Sequence, residues 1–562
     1  MATSFTVPRS GTQVIDGLLV GTGWSGTITY SFPDSPFDYE SRYSQLSEPF
    51  ASRFQQITFT QQQAYHHIFE GSSPFGSTGM LRYGSLDDIA AGLRFAYAGF
   101  GVADIRVAAT SASSIAHGYF PSPAGSGGDI WFNASRNFGA PRPGDYAWLT
   151  HIHEAGHALG LKHPHDVVGT NFTLMPFAFD ALEFTVMSYR SFVGDDLSGY
   201  SNEEFGYPQT PMMLDILALQ YIYGPNYATN AGDTRYSWNA NTGEMSVNGV
   251  GQGAPGANRI FLTIWDGGGF DTYDFSNYAT PVTVTLEPGA ASIASQAQLA
   301  NLGRSFLRTE FAKGNIYNAL VFGGDTRSMI ENAIGGSGND QLNGNGIANV
   351  LIGGPGNDLQ FGWGGSDFLQ GWSGDDELRG GADRDTLTGD EGNDRIFGED
   401  GDDVANGGVG NDLLAGWTGG DQLGGGTGND ILFGEGGNDV LWGEDGSDQL
   451  DGGAGDDLLF GGAGADILRG DQGADRLEAG VGADIVVFGP GWGVDTVFGF
   501  EAGPGAGDVL LLWGTGLRTA AEVAQRTQYD ASNNVTNLWI NPTSVIRFPG
   551  SVVLWPDDVA FG

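Results

Sequence analysis

The chain has 562 residues, a formal net charge of −43 and no cysteine. The length predicts two to four domains, with enough residues for a sizeable core. The acidic balance argues against nucleic acid and anionic membranes as partners and favours cations. The absence of cysteine excludes disulfides and thiolate metal sites. We expect neither a cleavable signal peptide nor a membrane span, because no basic segment precedes an apolar core and no apolar stretch reaches 18 residues.

The first long element expected along the chain is a helix around residues 58 to 70, in FTQQQAYHHIFE. It carries His66 and His67, which have no acidic cluster nearby in the sequence. We therefore expect a surface role for this pair rather than metal binding.

A compact histidine motif follows. HEAGHALGLKH, residues 153 to 163, has the pattern H-E-x-x-H-x-x-G-x-x-H, which is the metzincin form of the zinc-protease motif. His153 and His157 are four residues apart, so a helix places both rings on one face, about 2.0–2.1 Å from a shared zinc ion. Glu154 is rotated by about 100° from His153 and is expected to act as a general base without being a ligand.

Gly160 explains how a third ligand reaches the ion. In a continuous helix, His163 would lie about 15 Å further along the axis than His153. Glycine tolerates the left-handed backbone that ends a helix, so the chain can turn back and bring His163 to the metal. Three protein ligands leave a position open for water, as in a catalytic zinc site. The alternative is an amphipathic helix with incidental histidines.

Two further histidines flank the motif. His151 precedes the first ligand by two residues and should point away from the metal face. His165 lies two residues beyond the third ligand, where a surface histidine is expected and a substrate contact is the alternative.

The second half of the chain repeats every nine residues. From 335 to 487 there are seventeen units in one register, with the pattern G-G-x-G-x-D-x-U-x of a calcium-binding parallel β-roll. Six glycine-rich residues should form a turn, and three should form a short strand whose eighth-position side chain points inward. The alternative is a disordered Gly/Asp-rich tail.

The sixth position of the repeat is the expected calcium ligand, because calcium prefers six to eight oxygen atoms and turn carbonyls from stacked neighbours complete the set. Asn349 is the one exception among the seventeen units. The segment from 335 to 487 has 31 acidic and 5 basic side chains, so we expect it to be disordered without calcium and to fold on binding about a dozen ions. The expected ligands are Asp340, Asp358, Asp367, Asp376, Asp385, Asp394, Asp403, Asp412, Asp421, Asp430, Asp439, Asp448, Asp457, Asp466, Asp475 and Asp484. Asp266, Asp271 and Asp274 are expected to hold calcium where the roll begins, with solvated loop carboxylates as the alternative.

The motif, the repeats and the segment FTVMSYR (184 to 190) together resemble the serralysin family of secreted bacterial metalloproteases. PMMLDILALQYIYGPN (211 to 226) is similar to the helix that closes the family's catalytic domain. WDGGGFDTYDFSNY (265 to 278) resembles its entry into the roll, and ENAIGGSGND (331 to 340) resembles its first repeat.

The resemblance implies one catalytic Zn²⁺ and several structural Ca²⁺ ions. Met187 would lie beneath the zinc as a hydrophobic floor, and Tyr189 would be an extra, displaceable ligand that stabilises the oxyanion. GGDIWFNAS (127 to 135) is similar to the edge strand that pairs with an extended peptide. This similarity implies substrate contacts for Ile130, Trp131 and Phe132.

The expected fold is an α+β metzincin-like catalytic domain followed by an all-β, calcium-binding parallel β-roll. The expected segments are an N-terminal segment or short propeptide (1–20), a zinc metalloprotease domain (21–250), a connection and start of the roll (251–334), the roll itself (335–487) and a C-terminal β segment (488–562).

The expected function is that of a secreted, monomeric zinc endopeptidase acting on protein or peptide substrates. The resemblance implies type I secretion through an uncleaved C-terminal signal, with which the ending SVVLWPDDVAFG is compatible. Two alternatives come from other classes: a calcium-dependent adhesion protein with an inactive zinc domain, and a secretion passenger whose roll binds a partner or a sugar. An intact Glu154 disfavours the first.

Overall fold

The computed structural model describes residues 2–39, 53–71, 83–111, 115–304, 308–502 and 507–561. The chain divides into two compact units, Met1–Asn277 with Val284–Ile330, and Tyr278–Thr283 with Glu331–Gly562. The first unit is a mixed α/β structure and the second is a parallel β-roll, which confirms the expected fold class. Among the helices described, none combines the length and the apolar character that a membrane span requires.

The first unit is built around one mixed sheet. Its central strands run parallel, whereas the strands at 116–118 and 54–55 pair antiparallel with their neighbours. Across the sheet the order is Phe95–Tyr97, Ile28–Ser31, Ile105–Thr110, Ile130–Asn133 and Ala116–Gly118, with Phe54–Gln55 paired to the third of these. The helices of this unit are Gln13–Asp16, Phe59–Glu70, Leu86–Ile89, Tyr146–Ala158 and Met213–Tyr223.

The expected helix around 58 to 70 is present as Phe59–Glu70, and its histidine pair is inside the protein. Thr58 caps the first turn by accepting a hydrogen bond from the Gln61 N–H. His66 and His67 are buried, and the Tyr30 hydroxyl lies 2.5 Å from His66 Nδ1. The expectation of a surface role was wrong, because the residues of this helix from Gln61 to Phe69 are all buried and the His66 ring packs against Phe32 and Tyr97.

The remaining strands of the first unit are short and precede or follow these helices along the chain. An N-terminal pair is formed by Thr3–Thr6 and Thr22–Ser25. The later strands are Arg235–Trp238, Met245–Val247, Val250–Gly251, Leu262–Ile264, Thr272–Asp274, Ala291–Ser292, Asn301–Arg304, Thr309–Phe311 and Ile316–Asn318, and Thr283–Thr285 lies across the division between the units.

The second unit is a solenoid whose strands alternate between two parallel columns. Each strand pairs with the strand 18 residues further along, so two nonapeptides complete one coil, as expected. One column contains Asn332–Ile334, Val350–Pro355, Phe368–Ser373, Thr386–Glu391, Val404–Val409, Gln422–Thr427, Val440–Asp445, Leu458–Gly464, Arg476–Gly482 and Val494–Phe498. The other contains Gln341–Asn345, Leu359–Gly364, Glu377–Ala382, Arg395–Asp400, Leu413–Thr418, Ile431–Gly436, Gln449–Ala454, Ile467–Gln472, Ile485–Phe488 and Val509–Leu512. The remaining elements are the helix Ala520–Arg526 and the strands Thr527–Asp530, Val535–Asn541, Ser544–Pro549 and Val559–Phe561.

The eighth residue of every repeat is buried between the two columns. Leu342, Leu351 and their equivalents form this single apolar row, and Gln360 and Ala405 occupy two of its places. The strands are longer than the three residues expected from the repeat, because ladder pairing continues through the first three residues of the following unit, as between Gly354 and Trp372.

Candidate metal centres and substrate cleft

The histidine motif lies on the helix Tyr146–Ala158, which ends as the sequence predicts. Asp145 caps its start by accepting the Trp148 N–H at 2.6 Å. After Ala158 the chain leaves the helix, and Gly160 has φ +104°. A side chain at Gly160 would collide with the Thr22 carbonyl oxygen, so both the backbone angle and the space require glycine.

The three motif imidazoles converge on one point. His153 Nε2 lies 3.1 Å from His163 Nε2, and His157 Nε2 lies 3.0 Å from the same atom. The Nδ1 atom of each ring has a partner within the protein: the Val186 carbonyl for His153 at 2.8 Å, and the Leu161 carbonyl for His157 at 2.8 Å. His163 Nδ1 lies 2.6 Å from the Asp166 carboxylate.

These partners determine the protonation of the rings. A carbonyl oxygen can only accept, so Nδ1 carries the hydrogen on His153 and His157, and each Nε2 presents a lone pair. Burial lowers the pKa of His153 to about 4 and that of His163 to about 2, and it lowers the pKa of His157 well below its usual range. Three neutral nitrogens with lone pairs facing one another repel unless a cation lies between them, so the donor set fits zinc.

Glu154 lies beside this nitrogen cluster and is buried. Its Oε2 has no hydrogen-bond partner among the described residues, while the Gly118 N–H donates to the carboxylate. Burial raises the pKa of Glu154 to about 8, and a neighbouring cation would favour the ionised form. A carboxyl with one free oxygen next to the nitrogens is placed to accept and return a proton.

Met187 packs against the motif helix, and its place beneath the zinc remains a prediction. The residue is fully buried, and its Sδ is 2.7 Å from the position that a Cβ on Gly156 would occupy. Gly156, one of the two variable residues between the first two ligands, therefore makes room for the methionine.

The segment that contains Met187 is held by Asp215, near the start of the helix Met213–Tyr223. The Asp215 carboxylate accepts the Thr185 hydroxyl at 2.5 Å and the Val186 N–H at 2.7 Å. The carbonyl of the same Val186 anchors His153, so Asp215 stabilises the position of a ligand without contacting it.

Tyr189 packs against the ligands from the solvent side. Its ring lies 4.3 Å from that of His163 and 5.6 Å from that of His153, and 37% of the residue is exposed. Burial raises the pKa of Tyr189, so its hydroxyl keeps its proton and can donate a hydrogen bond into the cleft.

His165 is part of this ring cluster rather than a surface residue. It stacks on His163 with 5.5 Å between centroids and a 5° interplanar angle, and only 17% of its side chain is exposed. The expectation of a surface histidine was wrong, because the turn after the third ligand folds back against Tyr189. His151 does not join the three motif imidazoles, as expected. Its ring stacks on Phe132, and its Nδ1 lies 2.6 Å from the Ala147 carbonyl oxygen.

The strand predicted to pair with substrate is not at the edge of the sheet. Ile130, Trp131 and Phe132 are buried, and their strand has a neighbour on both sides, at 105–110 and at 116–118. The prediction that they contact substrate was wrong for this reason. The edge is Ala116–Gly118, and a Cβ on Gly118 would lie 2.7 Å from the Glu154 carbonyl oxygen.

A cleft of about 480 Å³ opens beside His153 and Glu154. It begins at Ala116 on the edge strand and continues along the motif helix. Most of its remaining lining is apolar or aromatic, from Tyr146, Leu149, Leu197, Tyr200 and Tyr207. The metal-binding nitrogens and the free carboxylate oxygen therefore meet in a space that accepts a large apolar group.

The second unit carries a different arrangement, in which aspartates form a ladder along the roll. Each sixth-position aspartate from Asp358 to Asp484 accepts, through Oδ1, the backbone N–H of the residue 18 positions earlier, at 2.7–3.0 Å. The Oδ2 atom of every one of them is buried without a hydrogen-bond partner among the described residues. Burial raises their pKa values, to about 8 for Asp367 and Asp376.

The space that these oxygens face suits calcium. A side chain on Gly389 would collide with Asp394 Oδ2 and with the Gly407 carbonyl oxygen. An aspartate Oδ2 and a carbonyl oxygen likewise lie next to Gly362, Gly371, Gly407, Gly434, Gly443 and Gly461. Carboxylate and carbonyl oxygens therefore converge in a gap that glycine keeps clear, which is the ligand chemistry that calcium prefers.

Two aspartates beyond the repeats extend the ladder. Asp495 Oδ1 accepts the Asp475 N–H at 3.1 Å, and Asp508 Oδ1 accepts the Asp484 N–H at 3.2 Å. The separations are 20 and 24 residues instead of 18, so a search in one fixed register misses both.

The three carboxylates expected at the start of the roll do not share one environment. Asp266 and Asp271 are buried, and they accept hydrogen bonds from the Tyr236 hydroxyl at 2.5 Å and from the Thr234 N–H at 2.8 Å, respectively. Asp274 pairs with Arg235 at 2.6 Å, so its charge is already balanced. A calcium site formed by all three remains a prediction.

Other residues of the zinc centre were missed by the sequence reasoning. Asp166 was detectable, since a carboxylate three residues after the third ligand is a natural partner for that ring. Gly156, Asp215 and the edge strand Ala116–Gly118 left no such signal, because their roles depend on contacts with distant segments.

Three family models match the chain. The model described as Matrixin matches residues 56–176, which include the motif helix, and the model described as Peptidase M10 serralysin C terminal matches 225–298. The model of the RTX calcium-binding nonapeptide repeat (4 copies) matches 334–369, 361–387, 388–423, 424–459, 451–486 and 460–497.

Several curated proteins are similar in sequence. Metalloprotease AprA of Pseudomonas entomophila (strain L48) is 32% identical over 254 residues, which cover 43% of this chain and 47% of the relative. Serralysin C of Dickeya chrysanthemi is 34% identical over 234 residues, covering 40% and 42%, and Serralysin of Photorhabdus laumondii subsp. laumondii is 33% identical over 263 residues, covering 45% and 48%. The matched stretches thus span less than half of each relative's length.

Among solved structures, the crystal structure of extracellular lipase LipA from Serratia marcescens aligns with 38% of this chain and 45% of that chain, at 19% identity and a TM-score of 0.14. The family models and the AprA and serralysin relatives carry the assignment. With the histidine cluster in the first unit and the aspartate ladder in the second, they support a serralysin-family RTX metalloprotease.

Proposed function

We propose that this protein is a zinc-dependent endopeptidase that hydrolyses peptide bonds in extended protein substrates. The observation that carries the proposal is the convergence of three imidazole nitrogens next to Glu154 Oε2, which has no hydrogen-bond partner among the described residues. His163 Nε2 lies 3.1 Å from His153 Nε2 and 3.0 Å from His157 Nε2. The cleft that opens at these atoms gives a peptide access to them.

The roles of the side chains follow from their positions. When bound, zinc polarises the scissile carbonyl and acidifies the attacking water. Glu154 takes the proton of that water as general base and returns it to the leaving amine. Tyr189, whose ring stacks against the ligands, donates its hydroxyl proton in a hydrogen bond to the developing oxyanion.

We propose that the substrate pairs with the edge strand Ala116–Gly118. Its partner strand occupies one side, and Ala116 on the other side lines the cleft, so an extended peptide would add to the sheet there. The Gly118 N–H already bonds to Glu154, which fixes the edge next to the reacting groups. The aromatic lining of the cleft favours peptides with a large apolar side chain beside the scissile bond.

We propose further that the protein acts as a secreted monomer that reaches the medium through type I secretion machinery. The repeats and the acidic charge support this proposal, because a roll that requires calcium would remain unfolded at the low calcium level inside a cell and fold outside it. Nucleic acid is disfavoured as a partner by the net charge of −43.

The decisive experiment replaces Glu154 with glutamine and measures casein hydrolysis together with zinc per chain. We expect turnover to fall by about 10²–10⁴-fold while zinc content stays unchanged, because the proton carrier is lost and the three imidazoles remain. Glu204→Gln, which alters an exposed carboxylate, is the matched control and should leave both quantities unchanged. If Glu154→Gln hydrolyses casein at the normal rate, the proposed mechanism is wrong, and adhesion or sugar binding by the roll becomes the better account.

A further inference from the structure

The first two turns of the roll differ from all the later ones in how the sixth-position side chain is satisfied. From Asp358 to Asp484, the Oδ2 atom of each sixth-position aspartate, called the inner oxygen below, has no hydrogen-bond donor among the described residues. Asp340 and Asn349 close the first turn on each side of the solenoid, and neither leaves its inner oxygen without a donor.

Asp340 is satisfied through both oxygens. Its Oδ1 accepts the Val282 N–H at 2.8 Å, and its Oδ2 accepts the Gly336 N–H at 2.5 Å. Gly336 is the second residue of the same turn, so the turn closes on its own carboxylate. The residue is buried, which means that water does not take the place of these donors.

Asn349 reaches the same result with an amide. Its Oδ1 accepts the N–H of Asn345, again the second residue of its own turn, at 2.7 Å. Its Nδ2 donates to the Glu331 carbonyl at 2.9 Å and to Asn345 Oδ1 at 3.2 Å. The neutral amide of Asn349 has no charge for a cation to balance. Its Nδ2 hydrogens are donated to the Glu331 carbonyl oxygen and to Asn345 Oδ1, which are oxygens that could otherwise bind a cation.

We infer that the first coil of the roll, residues 335–349, is a cap that folds without metal, and that the calcium sites begin at Asp358 on one side and at Asp367 on the other. In a solenoid each coil contacts only its neighbours, so the terminal coil needs its own means of stability. Leu342, within this coil, is buried in the apolar row and contributes to that stability. The cap then presents a finished strand pair on which the calcium-dependent coils stack.

This inference concerns the roll alone and stands or falls independently of the peptidase proposal. The test compares Asp340→Asn with Asp376→Asn, which lies two coils further along the same side, by counting calcium per chain after gel filtration in calcium buffer. We expect Asp340→Asn to leave the count unchanged and Asp376→Asn to lower it by about one ion, because Asp376 Oδ2 has no donor among the described residues whereas Asp340 Oδ2 already accepts the Gly336 N–H. Equal losses in the two variants, or no loss in either, would overturn the inference.

A second measurement avoids the possibility that Asp340→Asn simply misfolds. Hydrogen exchange of the unaltered full chain is followed with excess calcium chelator. Amides within 335–349 should remain protected while those within 358–484 exchange at the rate of an unfolded chain. Uniform exchange across both ranges would contradict a metal-independent cap.

Discussion

The zinc centre and the aspartate ladder hold their metals in opposite ways. In the first unit, each ligand ring is fixed by a partner on its far nitrogen: the Val186 carbonyl, the Leu161 carbonyl or the Asp166 carboxylate. In the second unit, Oδ1 of each ladder aspartate accepts a backbone N–H from the preceding coil. Its Oδ2 is buried and has no hydrogen-bond partner among the described residues. The comparison indicates that the fold itself positions the zinc-binding rings, and it predicts that the ladder aspartates need calcium in order to fold.

The largest expected effect comes from removing the two metals separately. Removing calcium with a calcium-selective chelator should abolish the β-structure of the roll beyond the cap at 335–349, because the segment 335–487 then retains a net charge of −26 and fifteen buried carboxylate oxygens that have no partner among the described residues. Removing zinc alone should abolish casein hydrolysis and leave the circular dichroism of both units unchanged. If zinc removal also unfolds the first unit, the contrast between the two centres does not hold.

Protonation of the buried aspartates at low pH should partly restore the stability that the roll loses without calcium. The ordinary aspartate pKa of 3.8 is raised in the folded roll by burial, to about 6 for Asp394 and to about 8 for Asp367. Between the ordinary pKa of 3.8 and the raised pKa values, the folded, calcium-free roll binds more protons than the unfolded chain. Its stability therefore increases as the pH falls and decreases as the pH rises. Calcium-free protein should therefore gain β-structure when the pH is lowered from about 8 to about 5, measured by circular dichroism. A gain in structure toward higher pH would contradict the assignment of these carboxyls as buried.

A smaller effect is expected from Asp166→Asn in the zinc centre. The substitution weakens the hydrogen bond that fixes the His163 ring and should lower zinc affinity by about 10–100-fold, measured by competition with a chromogenic chelator. Glu204→Gln again serves as the exposed control. Unchanged affinity would mean that the backbone alone positions His163.

The smallest effect distinguishes the buried sixth-position aspartates from the exposed fifth-position residues that precede them. Asn411 and Asp412 are adjacent, but Asn411 is exposed, and its side chain forms hydrogen bonds with the neighbouring turns at 2.9–3.2 Å. Asn411→Ala should change the unfolding free energy by less than about 0.5 kcal/mol, because water replaces the lost partner. Asp412→Asn should remove about one calcium ion and lower the melting temperature in calcium. Equal shifts in melting temperature would show that the inner oxygen has no special role.

Much of both sites was predictable because the relevant spacing is local. The helical separation of His153 and His157 and the glycine that returns the chain for His163 lie within eleven residues. The nine-residue period likewise assigns the buried row and the inner aspartates without reference to any other segment. Extension of the strands into the next repeat was not predicted, since ladder pairing between coils decides it.

Errors occurred wherever burial by distant segments was decisive. His66 and His67 looked polar and isolated, yet the sheet and its aromatic side chains enclose their helix. Ile130, Trp131 and Phe132 looked like an edge strand, yet Ala116–Gly118 covers their open side. His165 looked like a surface residue until the turn placed it against His163.

The sequence by itself determined which atoms can bind metal in this protein, because ligand identity and spacing are properties of short segments with a fixed period. Only the tertiary structure decided which of those atoms are held in place, which face a gap and which are already satisfied. Val186 and Asp215 support His153 from far along the chain. Gly336 closes the turn of Asp340, which therefore differs from the fifteen sixth-position aspartates that follow it. Such differences depend on which donors the fold brings within hydrogen-bond distance, and a repeat pattern contains no record of them.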